Sequence, residues 1–399
     1  MARPAPDPGN RHKKAPIPRV VWTLGFVSLL MDTSSEVVHA LLPLFLTTTL
    51  GVSVAFVGLI DGVAEATASV VKVFSGYISD RVKRRKPLIL AGYGLAALSK
   101  PFFPLAHGVP LVLGARFADR IGKGLRGAPR DALIADVTPE AIRGRAFGLR
   151  QALDTTGAFL GPLLATALMF LLADDIRTVL WIAAIPAAGA ALLVWVGIRE
   201  RAHGPGSSGA GDGIHVHDLG QLSPSFWHVV VIGIVFALAR FSEAFLILKA
   251  SAVGLPLALA PLVLVVMSLV YALGAYPAGV LSDRLDARNL LRFGLVLLIA
   301  ADLVLSTSST IAGTFAGIAL WGGHMAVTQG LLTKLVAEHA PDRLRGSAFG
   351  VFNLATGGAL LVASIAAGLL WDQIGPAATF LTGAALATLA GAMTLGRLR

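Results

Sequence analysis

Long runs of apolar residues, separated by short polar turns, recur along the whole chain. Twelve such runs predict helices, which we number spans 1 to 12, at about residues 20–49, 53–80, 87–107, 109–136, 141–173, 177–198, 225–249, 256–283, 289–309, 311–338, 343–371 and 376–396. A helix needs about 20 apolar residues to cross the hydrocarbon core of a bilayer. The pattern therefore predicts an all-α polytopic membrane protein with twelve transmembrane helices.

The composition supports this fold class. Hydrophobic residues make up 55% of the 399 residues, charged residues 14%, and the mean hydropathy is +0.75. Soluble domains carry about 25% charged residues, and disordered chains are far less apolar. The chain contains no cysteine, so disulfide and thiol chemistry are excluded. Composition thus leaves a membrane protein and excludes soluble, disordered and collagen-like chains.

Basic residues collect in alternate turns and account for the net charge of +10. They lie in the N-terminal tail and after spans 2, 4, 6, 8 and 10, at Arg3, Arg11, Lys13, Lys14, Arg19, 81–86, Arg143, Arg145, Arg199, Arg201, Arg284, Arg288, Arg343 and Arg345. Because basic residues favour the cytoplasmic side of membrane proteins, we expect both termini in the cytoplasm and an even number of spans. This pattern indicates topology and does not require a nucleic-acid partner. The expected location is a bacterial cytoplasmic (inner) membrane, and no removable signal peptide is evident.

The chain also repeats itself. Residues 135–148 and 337–350 are identical at seven of fourteen positions, and both segments follow an even number of spans. Residues 200–224 include a Gly/Ser-rich stretch typical of a flexible linker. We therefore predict a tail (1–19), a six-helix bundle (20–199), a cytoplasmic linker (200–224) and a second six-helix bundle (225–399), related as parallel repeats.

Two short motifs resemble those of the major facilitator superfamily of secondary transporters. After span 2, Gly76, Asp80, Arg81 and Arg84 follow the pattern G-x-x-x-D-R-x-G-R, with Lys83 in place of the usual glycine, and a weaker copy after span 8 contains Gly279, Asp283 and Arg284. In span 5, Gly157, Gly161 and Pro162 resemble the G-x-x-x-G-P motif associated with antiporters. The resemblance covers almost the whole chain and implies two rocking bundles with alternating access.

A gate at the cytoplasmic helix ends is the physical role that we expect for the first motif. A carboxylate can bind the N-terminus of a helix, where free amide groups and the helix dipole attract an anion. Asp80 is expected to face the start of span 11 near Arg345, and Asp283 the start of span 5 near Arg143. Asp136 and Glu338 end their helices beside these loops and are expected to join the gate.

Ionisable residues inside the spans predict the substrate and proton site, because such residues are costly in a bilayer and usually face a cavity. The resemblance implies that spans 1, 4, 7 and 10 line that cavity. The candidates on these spans are Asp32, Glu36, His39, Arg116, Arg120, Lys123, Arg240, Glu243, His324 and Gln329. We predict Glu36 or Asp32 as the proton-coupling carboxylate and Arg120 as its partner, since a moving arginine would change the proton affinity of the acid.

These features favour proton-coupled export of a small organic metabolite or drug by antiport. A second interpretation is a transition-metal or metal-chelate transporter that uses Asp32, Glu36, His39 and His324. Enzyme motifs such as H-E-x-x-H, G-x-S-x-G or a Walker sequence are missing from the chain, so we expect neither an enzyme nor a bound cofactor. We expect a monomer whose partners are the lipid bilayer, a small-molecule substrate and protons, whereas the substrate charge and the choice between H⁺ and Na⁺ stay open.

Overall fold

A computed structural model of the chain describes residues 16–81, 84–139, 142–198, 222–328, 331–341 and 344–394. Within these ranges the chain is almost entirely helical. The helices are α1 (Arg19–Leu44), α2 (Val54–Arg81), α3 (Lys86–Ser99), α4 (Phe102–Leu105), α5 (Val109–Val137), α6 (Arg143–Leu171), α7 (Ile176–Gly197), α8 (Pro224–Ala239), α9 (Ala244–Ala252), α10 (Leu262–Arg284), α11 (Ala287–Thr307), α12 (Ile311–Thr328), α13 (Leu331–His339), α14 (Arg345–Gln373) and α15 (Pro376–Met393). The prediction of an all-α fold is confirmed.

Eleven helical stretches of the described chain are long and apolar enough to cross a membrane. The remaining long helix, α5, has 29 residues but carries too many charged side chains to qualify by composition. It occupies the place of span 4 and packs between α2 and α3, where these charges are shielded from lipid. The protein is therefore an integral membrane protein, and its twelve predicted spans each correspond to helix in the structure.

Several spans predicted as single helices are interrupted. Span 1 continues beyond α1 as a π-helical turn, Phe45–Thr49. Span 3 is divided between α3 and α4 at Lys100 and Pro101, where proline lacks the N–H that would continue the ladder. Span 7 is divided between α8 and α9 at residues 240–243, which contain neither proline nor glycine. Tertiary packing therefore decides this last break.

Contacts group the helices into two sets. In the first, α1 packs against α6 and α7, while α5 packs against α2 and α3; in the second, α11 packs against α12 and α15, while α8 packs against α14 and α15. These sets correspond to the two predicted bundles, although the predicted tail and linker fall largely on residues 1–15 and 199–221, outside the described ranges. The predicted domain boundaries stay a prediction.

The two bundles meet chiefly along α2 and α14. We call the end of the molecule where α1 begins at Arg19 the tail side, and the opposite end, where α2 begins at Val54, the far side. At the far side a Cβ on Gly368 of α14 would lie 2.6 Å from the Cα of Ala55 on α2, so only glycine allows this approach. The carboxylate of Asp372 accepts hydrogen bonds from the backbone N–H groups of Val54 (3.2 Å) and Ala55 (2.9 Å). The bundles are thus joined at the far side.

Candidate functional site

A stripe of charged residues on α5 forms the centre of the candidate site. Arg116, Asp119 and Arg120 are almost completely buried, at 1%, 2% and 3% exposure, whereas Lys123, one turn further along, is exposed. Spacings of three and four residues place the four side chains along one side of the helix. The predicted residues Arg116 and Arg120 thus lie inside the protein, with Lys123 at the accessible end of the stripe.

Asp61 of α2 links this stripe to the second bundle. The Nη2 of Arg116 lies 3.2 Å from Oδ1 of Asp61, and both residues are buried. The other carboxylate oxygen, Oδ2, accepts a 2.7 Å hydrogen bond from the hydroxyl of Ser242, at the break in span 7. One carboxylate therefore connects three spans and crosses the boundary between the bundles.

Arg116 retains hydrogen-bonding capacity after this pairing. Its Nε and Nη1 atoms are buried and have no hydrogen-bond partner within the described part of the chain. Unpaired buried donors are costly, so an acceptor group that reached them would be bound favourably. These two donors are the strongest candidates on the first bundle for direct contact with a substrate.

Arg120 pairs with Glu65 of α2 at 3.2 Å and approaches its neighbour Asp119 at 3.5 Å. Asp119 in turn forms a fully buried 2.9 Å ion pair with Lys100, at the break in span 3, and Lys100 also donates to the Ser35 hydroxyl at 3.1 Å. The predicted partnership of Arg120 with Glu36 or Asp32 is therefore not the ion pairing seen in this conformation. The reason is that α2 packs along the length of α5, whereas α1 meets α5 at only a few positions.

Glu36 pairs instead with His39 on the same helix, at 3.2 Å. Both side chains are partly exposed, and they lie within electrostatic range of Glu243 from span 7. Glu243 is itself 3.8 Å from Arg240. Two of these four predicted residues lie on span 1 and two at the break in span 7, so they meet at the boundary between the bundles, beside the Asp61 pair.

The glycines of the span 5 motif allow α6 to press against α1 behind these residues. A Cβ on Gly157 would lie 2.5 Å from the carbonyl oxygen of Leu29, and one on Gly161 would lie 2.5 Å from the Cβ of Glu36. Pro162 follows directly and is buried inside α6. Small residues thus bring the helix axes together and determine where Glu36 stands.

Asp32 belongs to a second group of charges, nearer the tail side. Its carboxyl group interacts with that of Asp154 on α6. Around this pair Arg150 approaches Asp154 at 3.3 Å, and Arg130 lies 3.9 Å from Asp154 and 3.1 Å from the Ser28 hydroxyl. Asp32 and Glu36, predicted from their spacing to act on one face, therefore sit in different electrostatic surroundings.

The residues of span 10 do not join this assembly. His324 is fully buried; its Nδ1 is 2.8 Å from the carbonyl oxygen of Gly294 and its ring packs on Phe236 at a centroid distance of 5.4 Å. Gln329 lies outside the described residues. No group of three His, Asp or Glu side chains with metal-binding geometry occurs among the described residues, and His324 does not approach His39. The four proposed metal ligands are thus not brought together in this conformation.

Comparison with known proteins identifies the family. The profile of the Major Facilitator Superfamily matches residues 24–249 and 229–399. The chain belongs to this superfamily. It is 29% identical to an uncharacterized MFS-type transporter of Methanocaldococcus jannaschii over 97% of this chain and 96% of that protein. A 160-residue segment is 31% identical to the multidrug resistance protein MdtH of Photorhabdus laumondii, covering 40% of this chain and 39% of that protein.

A solved structure shows the same fold. A crystal structure of the nucleoside transporter NupG superimposes with a TM-score of 0.78 over 94% of this chain and 99% of that chain, at 14% sequence identity. At such low identity the match concerns the fold alone. The predicted superfamily membership and fold are confirmed, and the chain is a membrane transporter of this superfamily.

The structure describes only some residues of the predicted gate motif. Gly76 lies in α2, where a Cβ would meet that of Ala128 at 3.7 Å, and the backbones of Asp80 and Arg81 end the same helix. The side chains of Asp80, Arg81, Asp283, Arg284 and Arg345 lie outside the described set. Four other residues of the predicted gate are exposed: Arg84, Arg143, Gly279 and Glu338. Asp136 forms an ion pair with the buried Arg85.

The helix starts that these gate residues were predicted to meet are present. Helices α6 and α14 each have 29 residues and begin at Arg143 and Arg345, at equivalent positions of the repeat. The preceding residues, Ile142 and Leu344, have apolar side chains and cannot cap them. Their side chains leave the first N–H groups of both helices to other acceptors, and the gate contacts stay a prediction.

Three residues of spans 2 and 3 belong to the site but were not among the predicted set: Asp61, Glu65 and Lys100. All three are ionisable residues inside predicted spans, a signal that could have selected them. In the sequence, Asp61 and Glu65 carry less weight because they lie only one or two turns from the extracellular end of span 2, and the resemblance does not place Lys100 on a span that lines the cavity. Their role depends on which helices pack against α5, and that information is tertiary.

Proposed function

We propose that this protein is a proton-coupled antiporter that exports a small organic compound by alternating access. Asp372 and Ser242 each join the two bundles by hydrogen bonds, and both contacts must break when the far side opens. The similarity of one segment to a multidrug resistance protein supports export and a broad range of organic substrates. The basic turns support a location in a cytoplasmic membrane with both chain ends in the cytoplasm, and we propose a monomer as the working unit.

The observation that carries the proposal is the pairing of Asp61 with Arg116 and Ser242 across the bundle boundary. Opening of the far side would separate Ser242 from Asp61 and admit water to the buried ion pair. The Asp61 carboxylate would then exchange part of its contact with Arg116 and Ser242 for contact with water. A carboxyl group whose surroundings differ between two conformations can couple a proton to the conformational cycle. Asp61 thus joins Glu36 and Asp32 as a proposed proton-exchanging group.

We assign the remaining residues by position. The unpaired donors of Arg116 and the exposed ammonium of Lys123 would bind an acceptor or anionic group of the substrate. Arg120 would hold Glu65 and, once displaced, provide the predicted counter-charge for Glu36. These assignments favour an anionic or amphiphilic compound, because two cationic side chains offer unused binding capacity and Glu36 is already paired with His39.

The test begins with a panel of organic anions, cations and zwitterions, screened for thermal stabilisation of the purified transporter, since a ligand stabilises the state that it binds. Compounds that raise the unfolding temperature are then added to proteoliposomes containing a pH-sensitive dye. Antiport predicts saturable substrate movement that drives protons in the opposite direction. Transport driven by a Na⁺ gradient and insensitive to pH would refute proton coupling, and flux without saturation would refute a carrier.

Variants then test the site. Glu36→Gln, Asp61→Asn and Arg120→Ala are expected to reduce proton-coupled flux at least tenfold while the protein still inserts into the membrane. Asp174→Asn is the matched control, because Asp174 is exposed in a far-side turn with φ 65°, a conformation that asparagine tolerates. Wild-type flux in all three site variants would overturn the assignment.

A further inference from the structure

Asp302 takes part in none of the ion pairs described above and has no role in the proposed site. It lies in α11, in the second bundle, and is 0% exposed. Neither Oδ1 nor Oδ2 has a hydrogen-bond partner within the described part of the chain. A charged carboxylate in such surroundings would have lost its hydration without compensation. Burial without a partner therefore favours the neutral, protonated form of Asp302 over the carboxylate.

Among the described residues, no charged group balances Asp302 from the helices packed around it. Helix α15 contains no ionisable residue between Pro376 and Met393. On α12, His324 is bonded to the Gly294 carbonyl, and at the end of α8, Arg240 is directed to Glu243. The other charged residues and histidines of α8, α10, α11 and α13 lie toward the tail side, at His228, Asp283, Arg284, Arg288, Arg292, Lys334, Glu338 and His339.

The surroundings of Asp302 include the break in span 7. A Cβ on Gly383 of α15 would lie 2.6 Å from Oδ2 of Asp302, 3.0 Å from the ring of Phe241 and 3.3 Å from the carbonyl oxygen of Ala239. Ala239 ends α8, and Phe241 lies inside the break. The Asp302 carboxyl group therefore packs against the segment at which span 7 can bend.

A small cavity adjoins the same place. It has a volume of about 60 Å³ and is lined in part by Phe241, Thr379, Thr382 and Gly383. One water molecule needs about 10–15 Å³ of such space, but most of the remaining lining is aliphatic, so the cavity offers water few hydrogen-bond partners until span 7 moves. Movement of the Phe241 segment would connect Asp302 with this space, which would give a proton a path into water.

We propose that Asp302 is a second proton-binding site of this transporter, loaded while the far side is closed and emptied when span 7 rearranges. In the release step the O–H bond of Asp302 breaks, the proton passes to a water molecule in the cavity, and the electron pair stays on the carboxylate. The proposal rests on the proton coupling proposed above and deepens it by adding a site in the second bundle. Its test needs no substrate, so it can fail while the proposed transport function holds.

The linkage has a definite sign. The closed far side holds Asp302 protonated, so low pH favours this conformation and rising pH favours the open one. One proton released per conversion changes the equilibrium constant by about tenfold per pH unit between the pH values at which the two conformations titrate. Above and below that window Asp302 contributes no pH dependence to the conformational equilibrium.

The experiment uses the natural absence of cysteine. Spin labels on Thr49→Cys and Ser309→Cys, both exposed at the far side of opposite bundles, report its closure as a distance distribution in lipid nanodiscs. In wild type, the ratio of the long-distance to the short-distance population is expected to rise about tenfold per pH unit in the responsive window. Asp302→Asn, which keeps the shape of the protonated acid, should favour the short distance and lose the contribution of one proton to this dependence, about tenfold per pH unit, whereas the Asp174→Asn control should keep the full dependence.

A second measurement detects the proton directly. Infrared spectra of wild type and Asp302→Asn should differ by the carbonyl stretch of one protonated carboxylic acid at low pH. Equal pH dependence in the two proteins, or identical infrared spectra, would overturn the proposal, as would a band that persists while the far side opens. A shift caused by Na⁺ and not by pH, lost in Asp302→Asn, would replace the proton with a metal cation and equally refute it.

Discussion

Asp372 makes a far-side counterpart to the predicted tail-side gate. Its carboxylate, at the end of α14, accepts hydrogen bonds from the first backbone N–H groups of α2 at 3.2 and 2.9 Å. Those N–H groups have no partner inside their own helix, and the helix dipole favours an anion beside them. Because α2 and α14 belong to different bundles, we expect Asp372 to stabilise the closed far side.

Replacing Asp372 with asparagine measures this contribution. Asparagine keeps one acceptor oxygen but loses the negative charge and presents an N–H₂ group to the amides of α2. A hydrogen bond to a charged group contributes about 1.5–3 kcal/mol, and the exposure of Asp372 argues for a lower value. A loss of about 1 to 2 kcal/mol would shift the equilibrium toward the open far side by about fivefold to thirtyfold.

The spin-label pair at Thr49→Cys and Ser309→Cys provides the assay, with the fraction of long distances as the readout. Asp175→Asn is the matched control, since Asp175 also caps a helix start, through the backbone N–H of Thr178 (3.2 Å), but within one bundle. Asp372→Asn should raise the open fraction and Asp175→Asn should leave it unchanged. The same distance distribution in Asp372→Asn and wild type would show that the far-side capping contact does not stabilise closure.

Further substitutions test the packing and the buried charges. Gly161→Ala should lower stability by about 1–3 kcal/mol, because its Cβ would lie 2.5 Å from α1, while Gly127→Ala, with nothing within 4 Å, should not; equal unfolding midpoints in detergent would contradict this. Lys100→Met should cost about 3 kcal/mol by leaving Asp119 buried with less compensation, and adding Asp119→Leu should recover most of it; an additive loss would exclude a coupled pair. Ser242→Ala should raise the open fraction in the spin-label assay by removing its bond to the α2 carboxylate, and an unchanged fraction would refute a role in closure.

The span count and the internal repeat could be predicted because each depends on local composition. An apolar run of about 20 residues crosses a bilayer whatever its neighbours are. The repeat of 135–148 at 337–350 likewise reappears as the equivalent starts of α6 and α14. Span 4 is also predicted by its pattern, although α5 carries too many charged residues to qualify as a membrane span by composition.

The ion pairs could not be predicted in the same way. Arg120 was assigned to the acids of span 1, but in the structure it pairs with Glu65, because α2 packs along α5. A salt bridge needs two charges within about 4 Å, and spacing along one helix says nothing about which other helix supplies the second charge. The same limit hid the link from Asp61 to Ser242.

The sequence by itself determined that this chain is a twelve-span transporter with charges inside its membrane helices. Those properties follow from hydropathy, spacing and the duplicated motifs, which each segment carries independently. Tertiary structure alone decided which carboxylates are paired, which one is shared between the bundles and that Asp302 stands without a partner among the described residues. The physical reason is that burial and pairing are properties of packed helices. An aspartate that packs beside an arginine, as Asp61 does, is a counter-ion. An aspartate that packs beside phenylalanine and glycine, as Asp302 does, has no charge to balance it among the described residues.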